Sequence, residues 1–88
     1  MSDLLTTDEF RVDGWRKGGA FGASLASLPG SAGISRIQSL RVVVLAGKRS
    51  LHEQGCSSEK AQAWAEGYVS GFEPHAELWF QTRFGQKP

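Results

Sequence analysis

The residue types best able to do chemistry cluster around the single cysteine. His52, Glu53 and Cys56 have a faintly metalloprotease-like spacing, and His75 lies further along the chain as a candidate third ligand. Gly55 ends a predicted helix between His52 and Cys56, so the two side chains would not project from one helical face. A zinc site would still lack a fourth ligand, and a Cys–His nucleophile pair would lack an orienting third group. We therefore expect neither a bound metal nor a catalytic thiol.

A second candidate chemistry is phosphate binding. Residues 42–49 begin with valines and include a Gly-Lys pair, as in a strand that enters a phosphate loop. Val42 stands where the first glycine must bend the chain, and Arg49 stands where a hydroxyl must meet Mg²⁺. The glycines of residues 18–22 follow no strand and are not a dinucleotide fingerprint. We expect no cofactor and interpret the chain as a non-enzyme.

The formal net charge of +1 hides an uneven distribution. Residues 10–52 carry seven bases against one acid, and residues 53–77 carry five acids against one base. These segments either neutralise each other across helix surfaces or offer a basic face to an acidic partner. The bases predicted to contact nucleic acid, if any do, are Arg36, Arg41, Lys48 and Arg49.

Length and composition indicate one ordinary globular domain. A chain of 88 residues has room for one modest core, and its hydrophobic fraction of 40% and charged fraction of 22% are typical of folded proteins. A lone cysteine makes no internal disulfide, and the N-terminus has acids where an export signal needs bases. The uncharged residues 18–35 are rich in Gly and Ser and broken at Pro29. We expect a cytoplasmic protein with no membrane association.

The elements that must position these residues are predicted to be helices. Helical periodicity and end signals place them at about 6–28, 35–54 and 57–73, with a short helix or extended segment from Pro74. Capping boxes mark the first two starts, and the paired residues are Thr6 with Glu9 and Ser35 with Gln38.

The sequence thus predicts an all-α fold of three to four helices in a single domain over residues 1–88. Residues 29–33 are predicted to be a loop, and residues 86–88 a flexible tail. The alternative is an α+β fold with a short strand near 40–46 or 77–84, because β-branched or aromatic residues dominate there.

Apolar and small residues on the helical stripes predict the packing. The predicted core consists of Phe10, Phe21, Leu25, Ile37, Leu40, Val44, Leu51, Trp64, Tyr68 and Phe72. Glycines recur every four residues in the first and third predicted helices, a spacing that lets two helix backbones approach closely. We expect them to pack helices within the chain. The alternative is a homodimer through Gly14, Gly18 and Gly22.

Several aromatic residues fall outside these stripes and lie next to bases. Exposed aromatic side chains beside Arg or Lys often anchor protein interfaces. The predicted partner-binding residues are Trp15, Arg16, Lys17, Trp79, Phe80, Arg83 and Phe84. The competing interpretation is that the C-terminal segment folds back and that Trp79 and Phe80 complete the core.

The leading functional hypothesis is a small protein-binding regulator or inhibitor that binds a host macromolecular complex, of the kind phages and mobile elements encode. The first alternative is a helix-turn-helix DNA-binding regulator, because the spacing of the apolar residues around Gly55 fits that motif or any αα-hairpin. The second is a self-associating structural or assembly subunit. Residues 63–71 look a little like the helix of ribosome modulation factor, but the rest of that family's pattern is absent and no kinship follows.

Overall fold

A computed structural model describes residues 6–84 and contains four α-helices. The helices are α1 (Thr7–Ala23), α2 (Gly30–Gln38), α3 (Leu40–Glu53) and α4 (Ser58–Phe84), with a 3₁₀ turn at Ser24–Ser27 after α1. No strand occurs among these described residues. The all-α prediction is confirmed. The alternative strands at 40–46 and 77–84 are wrong, because both segments lie inside helices.

The capping box predicted for α1 is present. The Glu9 N–H donates to the Thr6 hydroxyl at 3.1 Å, and the Thr6 N–H donates to the Glu9 carboxylate at 2.7 Å. Two first-turn N–H groups that the helix cannot pair itself are thereby satisfied.

The predicted start of the second helix at Ser35 is wrong, as is the loop at 29–33. α2 begins at Gly30, directly after Pro29, whose φ of −72° suits entry into a helix. Ser39 then separates α2 from α3, and its hydroxyl donates to the Arg36 carbonyl at 2.7 Å. Tertiary packing explains the earlier start, because Gly33 in this first turn lies directly against the Trp79 indole.

The helix break predicted at Pro74 is also wrong, since α4 runs through it. Proline removes one backbone donor inside the helix, which disfavours the continuation locally. Contacts beyond the proline offset this cost. Trp79 is only 3% exposed, and its indole N–H and the Arg83 guanidinium both donate to the Leu28 carbonyl, at 3.2 and 2.9 Å.

The turn from α3 to α4 follows the predicted glycine motif. Gly55 has a φ of +93°, and the Cys56 N–H donates to the Leu51 carbonyl at 3.0 Å. This is the Schellman pattern, which requires the left-handed conformation that glycine adopts without strain. Ser57 caps α4 by accepting from the Lys60 N–H at 3.2 Å.

α1 and α4 lie side by side and run in the same direction. Gly14 meets Trp64, Gly18 meets Tyr68 and Gly22 meets His75, so residue numbers rise together along the two helices. α3 runs the opposite way. Its last turns lie near the start of α4, where Lys48 reaches Gln62, and its first residue, Leu40, packs near Phe72.

Five glycines form the contact between α1 and α4, and we call them the glycine seam: Gly14, Gly18, Gly22, Gly67 and Gly71. A Cβ added at Gly14 or Gly18 would overlap a carbonyl oxygen of α4, and one added at Gly67 or Gly71 would overlap a carbonyl oxygen of α1. Packing of helices within the chain is therefore confirmed. The homodimer through Gly14, Gly18 and Gly22 is wrong, because α4 of the same chain covers all three.

All ten predicted core residues lie in or against two adjoining clusters. Six are buried and four are partly buried; the partly buried ones are Phe21, Ile37, Leu40 and Leu51. Phe21 and Leu40 pack against both clusters and join them. Trp79 belongs to the second cluster and was not among the predicted core residues.

Candidate functional site: the groove between α3 and α4

The residues considered for metal or thiol chemistry are not brought together. Cys56 is buried, whereas His52 is exposed on the last turn of α3 and His75 packs against Gly22. Within residues 6–84 no three His, Cys, Asp or Glu side chains are grouped so that they could hold a metal ion. Cys56 packs in the core as the apolar contact of the Schellman turn.

The predicted partner-binding residues are divided between two places. Trp15 is 57% exposed on α1, beside exposed Arg16 and Lys17. Phe80 and Phe84 are 43% and 58% exposed at the end of α4. The Trp15 carbonyl lies against Gly71, which places Phe80 roughly 13 Å further along α4 at 1.5 Å per residue.

Trp79 is buried, whereas Arg83 is exposed but donates to backbone carbonyls of the same chain. Trp79 is core, and the Arg83 guanidinium lies 5.7 Å from its ring centroid while donating to the carbonyls of Ala26 and Leu28. These two residues fasten the end of α4 to the segment after α1. The fold-back interpretation is therefore correct for Trp79 and wrong for Phe80, which remains half exposed.

An open groove runs along α4 on the side of α2 and α3. It has two adjoining parts with volumes of about 680 and 600 Å³, which share five lining residues. The lining of α4 extends from Gln62 to Phe80, ~27 Å at 1.5 Å per residue. Apolar side chains line the groove from both sides, and they are Ile37, Leu40, Val44, Leu45, Ala65 and Val69.

Comparison finds no matching family model, no similar curated protein and no similar solved structure. None of the described helices has the length and apolar character that crossing a bilayer requires.

The two rims of the groove carry opposite charges. Arg41 and Lys48 line it on the α3 side, seven residues apart and thus on one helical face. On the α4 side the lining carboxylates are Glu66, Glu73 and Glu77. The groove combines an apolar lining, a basic rim and an acidic rim.

One end of the groove is closed by a hydrogen-bonded chain. The Lys48 ammonium donates to the Gln62 amide oxygen at 2.9 Å, across from α3 to α4. The Gln62 amide then donates to Glu66 at 3.3 Å, and Glu66 also accepts from Arg11 of α1 at 3.3 Å. Hydrogen bonds from Gln62 and then Arg11 hold the pKa of Glu66 below its ordinary value, so this carboxylate is ionised at neutral pH.

The bases predicted to contact nucleic acid have different surroundings. Arg41 and Lys48 line the groove, but Arg49 does not, although it is exposed. Arg36 donates to the Ser24 hydroxyl and lies 5.3 Å from the Phe21 ring centroid, so it braces α2 against the end of α1.

The sequence held a signal for the groove. Arg41, Leu45 and Lys48 follow a four-then-three spacing on α3, and Glu73 and Glu77 lie four apart on α4. Those spacings place each set on one face of its helix. They do not reveal that the two faces border the same groove, because that depends on α3 lying against α4.

Proposed function

We propose that this protein is a non-catalytic regulator that binds an amphipathic helix of another protein in the groove between α3 and α4. The observation that carries the proposal is the groove itself, which is ~27 Å long, lined by apolar side chains and open to solvent. Binding would hide the helix from its other partners, which is how a protein without catalytic groups can inhibit or regulate.

The dimensions of the groove suit a helix. A lining of ~27 Å along α4 matches about five turns, and apolar residues at positions i, i+3, i+4 and i+7 of a partner would face its floor. Leu45 and Phe80 are 55% and 43% exposed and line different parts of the groove. Large, partly exposed apolar side chains of this kind commonly anchor an interface.

The opposite charges of the two rims favour a protein partner over nucleic acid. Phosphates drawn to Arg41 and Lys48 would also lie near the carboxylates of Glu66 and Glu73. Repulsion between phosphate and carboxylate opposes the electrostatic attraction on which nucleic-acid binding depends. A helix can present both signs of charge and satisfy both rims.

A groove-filling substitution tests the proposal. Ser70 is exposed and lines both parts of the groove, so Ser70→Trp should block a bound helix while preserving the fold. Ala46→Trp is the matched control, since Ala46 is exposed on α3 and does not line the groove. The measurement is co-purification from host extract, followed by binding of helical peptides from the captured protein.

The expected partner is retained by the wild-type protein and by Ala46→Trp and is lost with Ser70→Trp. One of its helices, made as a peptide, should then perturb NMR signals of groove residues. An identical set of captured proteins for the two tryptophan variants, both still folded, would overturn the proposal.

A further inference from the structure

We infer that the groove selects a partner helix with basic residues toward its N-terminus and acidic residues toward its C-terminus, and that it binds this helix antiparallel to α4. The inference rests on the proposed function and adds the partner's charge order and direction. It follows from an unequal distribution of charge along the groove.

The closed end of the groove is the basic end. Lys48 lies at this end beside Gln62, and Arg41 lies seven residues earlier on α3, in the part of the groove that Glu73 also lines. The α4 carboxylate at this end, Glu66, already accepts hydrogen bonds from Arg11 and Gln62. An occupant therefore meets the Lys48 ammonium there and a carboxylate whose charge is largely compensated. Carboxylates on the occupant are favoured at this end.

The open end of the groove is the acidic end. α3 contributes its first residue, Leu40, and no base to the part of the groove that Glu73, Glu77 and Phe80 line. Among the described residues neither of these glutamates forms an ion pair. Lys or Arg side chains on the occupant are favoured here.

Side-chain charge and backbone dipole set the same direction. The C-terminus of a helix carries a partial negative charge and its N-terminus a partial positive charge. A helix whose C-terminus lies beside Lys48 and whose N-terminus lies beside Glu77 gains from both terms. Because α4 runs from the closed end to the open end, this occupant runs antiparallel to α4 and parallel to α3.

Three stapled 18-residue peptides with one leucine stripe and one composition test the inference. The first has three lysines in its N-terminal half and three glutamates in its C-terminal half, the second has these halves exchanged, and the third has the charges mixed. Stapling keeps them equally helical by circular dichroism, since charge order alone alters helicity. Affinity is measured by fluorescence anisotropy at low and high salt.

The first peptide should bind roughly tenfold more tightly than the mixed peptide at low salt, as expected for four partly exposed ion pairs. This advantage should shrink at high salt. A nitroxide at the N-terminus of the first peptide should broaden NMR signals near Phe80. The peptide with exchanged halves should bind more weakly and broaden signals near Lys48.

A protein variant with exchanged rim charges provides the complementary test. It combines Arg41→Glu, Lys48→Glu, Glu73→Lys and Glu77→Lys, and it should reverse the direction in which the first peptide binds, so that the N-terminal nitroxide broadens signals near residue 48 instead of Phe80. The control combines Arg49→Glu with Glu53→Lys, two exposed α3 residues outside the groove, and should keep the wild-type direction.

The failures are distinguishable. If no peptide binds, the proposed function fails and the inference fails with it. If all three bind equally and in mixed directions, the groove binds helices but the inferred selectivity is wrong. If the chain alone dimerises and Ser70→Trp makes it monomeric, the occupant is a second copy and both proposals are overturned.

Discussion

α4 has two flanks that differ in what they leave open. On the α1 flank, glycines on both helices bring backbone against backbone, and the space there is a small cavity of about 210 Å³ near Gly22 and Trp79. On the α3 flank, branched and charged side chains separate the helices and leave an apolar groove. One helix thus supplies a closed structural contact on one side and an open surface on the other.

Residue size explains the difference. At the seam, the absence of Cβ atoms lets the α1 and α4 backbones touch, which maximises van der Waals contact. On the other flank the one comparable approach is Gly47, which lies against the indole of Trp64. That ring lies between α3 and α4, and Lys48 just beyond it spans the gap through Gln62.

The largest effect is expected at Trp79, which attaches the end of α4 to the segment after α1. Trp79→Ala should lower the free energy of unfolding by about 3–5 kcal/mol, because it leaves a cavity beside Gly33 and frees the Leu28 carbonyl from the indole. Phe80→Ala, one residue away and 43% exposed, should cost only about 1 kcal/mol. Urea denaturation measures both. Equal losses would show that the partly exposed Phe80, which lines the groove, stabilises the fold as much as the buried Trp79.

The seam itself is tested by two adjacent glycines of α1. Gly18→Ala should destabilise the protein by about 2–3 kcal/mol, because the new Cβ would lie 2.8 Å from the Tyr68 Cα and force the helices apart. Gly19→Ala should be neutral or stabilise by up to ~1 kcal/mol, since its Cβ would approach nothing closer than 3.9 Å. Melting temperatures should move in opposite directions, by about 4–8 °C for each kcal/mol. A harmless Gly18→Ala would refute backbone contact at the seam.

The α1 flank of α4 was more predictable from the sequence than the α3 flank. Glycines every four residues indicate close packing wherever they occur, and stripes of apolar residues indicate a core, so both could be identified without knowing which helices meet. The Schellman turn was equally local, because Gly55 and Cys56 define it alone. These predictions depend on one segment at a time.

The errors concern features that tertiary contacts decide. Pro74 and the start at Ser35 were assigned from local rules, whereas burial of Trp79 against Gly33 keeps both α2 and the end of α4 helical. The predicted partner-binding residues are divided between two places for the same reason. Trp15 and Phe80 are both exposed as predicted, but only Phe80 borders the groove, whose other rim comes from α3.

Substitutions on the α3 flank of α4 should leave the stability of the fold nearly unchanged even where they abolish binding. Leu45 and Val42 are 55% and 67% exposed on α3, but only Leu45 lines the groove. Replacing either with Ser should change the free energy of unfolding by no more than about 0.5 kcal/mol. Under the proposed function, Leu45→Ser weakens binding of the partner helix and Val42→Ser does not. Calorimetric titration of the partner helix into each of the two variants measures this difference. A loss of stability in Leu45→Ser would instead assign Leu45 to the core.

The smallest effect is expected where the two flanks are linked, at Glu66, which accepts from Gln62 on the groove side and from Arg11 on the seam side. These hydrogen bonds favour the carboxylate in the folded protein and lower its pKa below the ordinary 4.5. The unfolded chain therefore binds this proton more readily. The resulting stabilisation is fully present above pH 4.5 and is lost as the pH falls through the lowered pKa of the folded state.

Urea midpoints from pH 7 to pH 3 should show this loss in the wild-type protein and not in Glu66→Gln. Gln62→Leu and Arg11→Met should each weaken the pH dependence, because Gln62 supplies a hydrogen bond to the carboxylate and Arg11 supplies a hydrogen bond and a positive charge. An unchanged pH dependence in both variants would show that these contacts do not lower the pKa of Glu66.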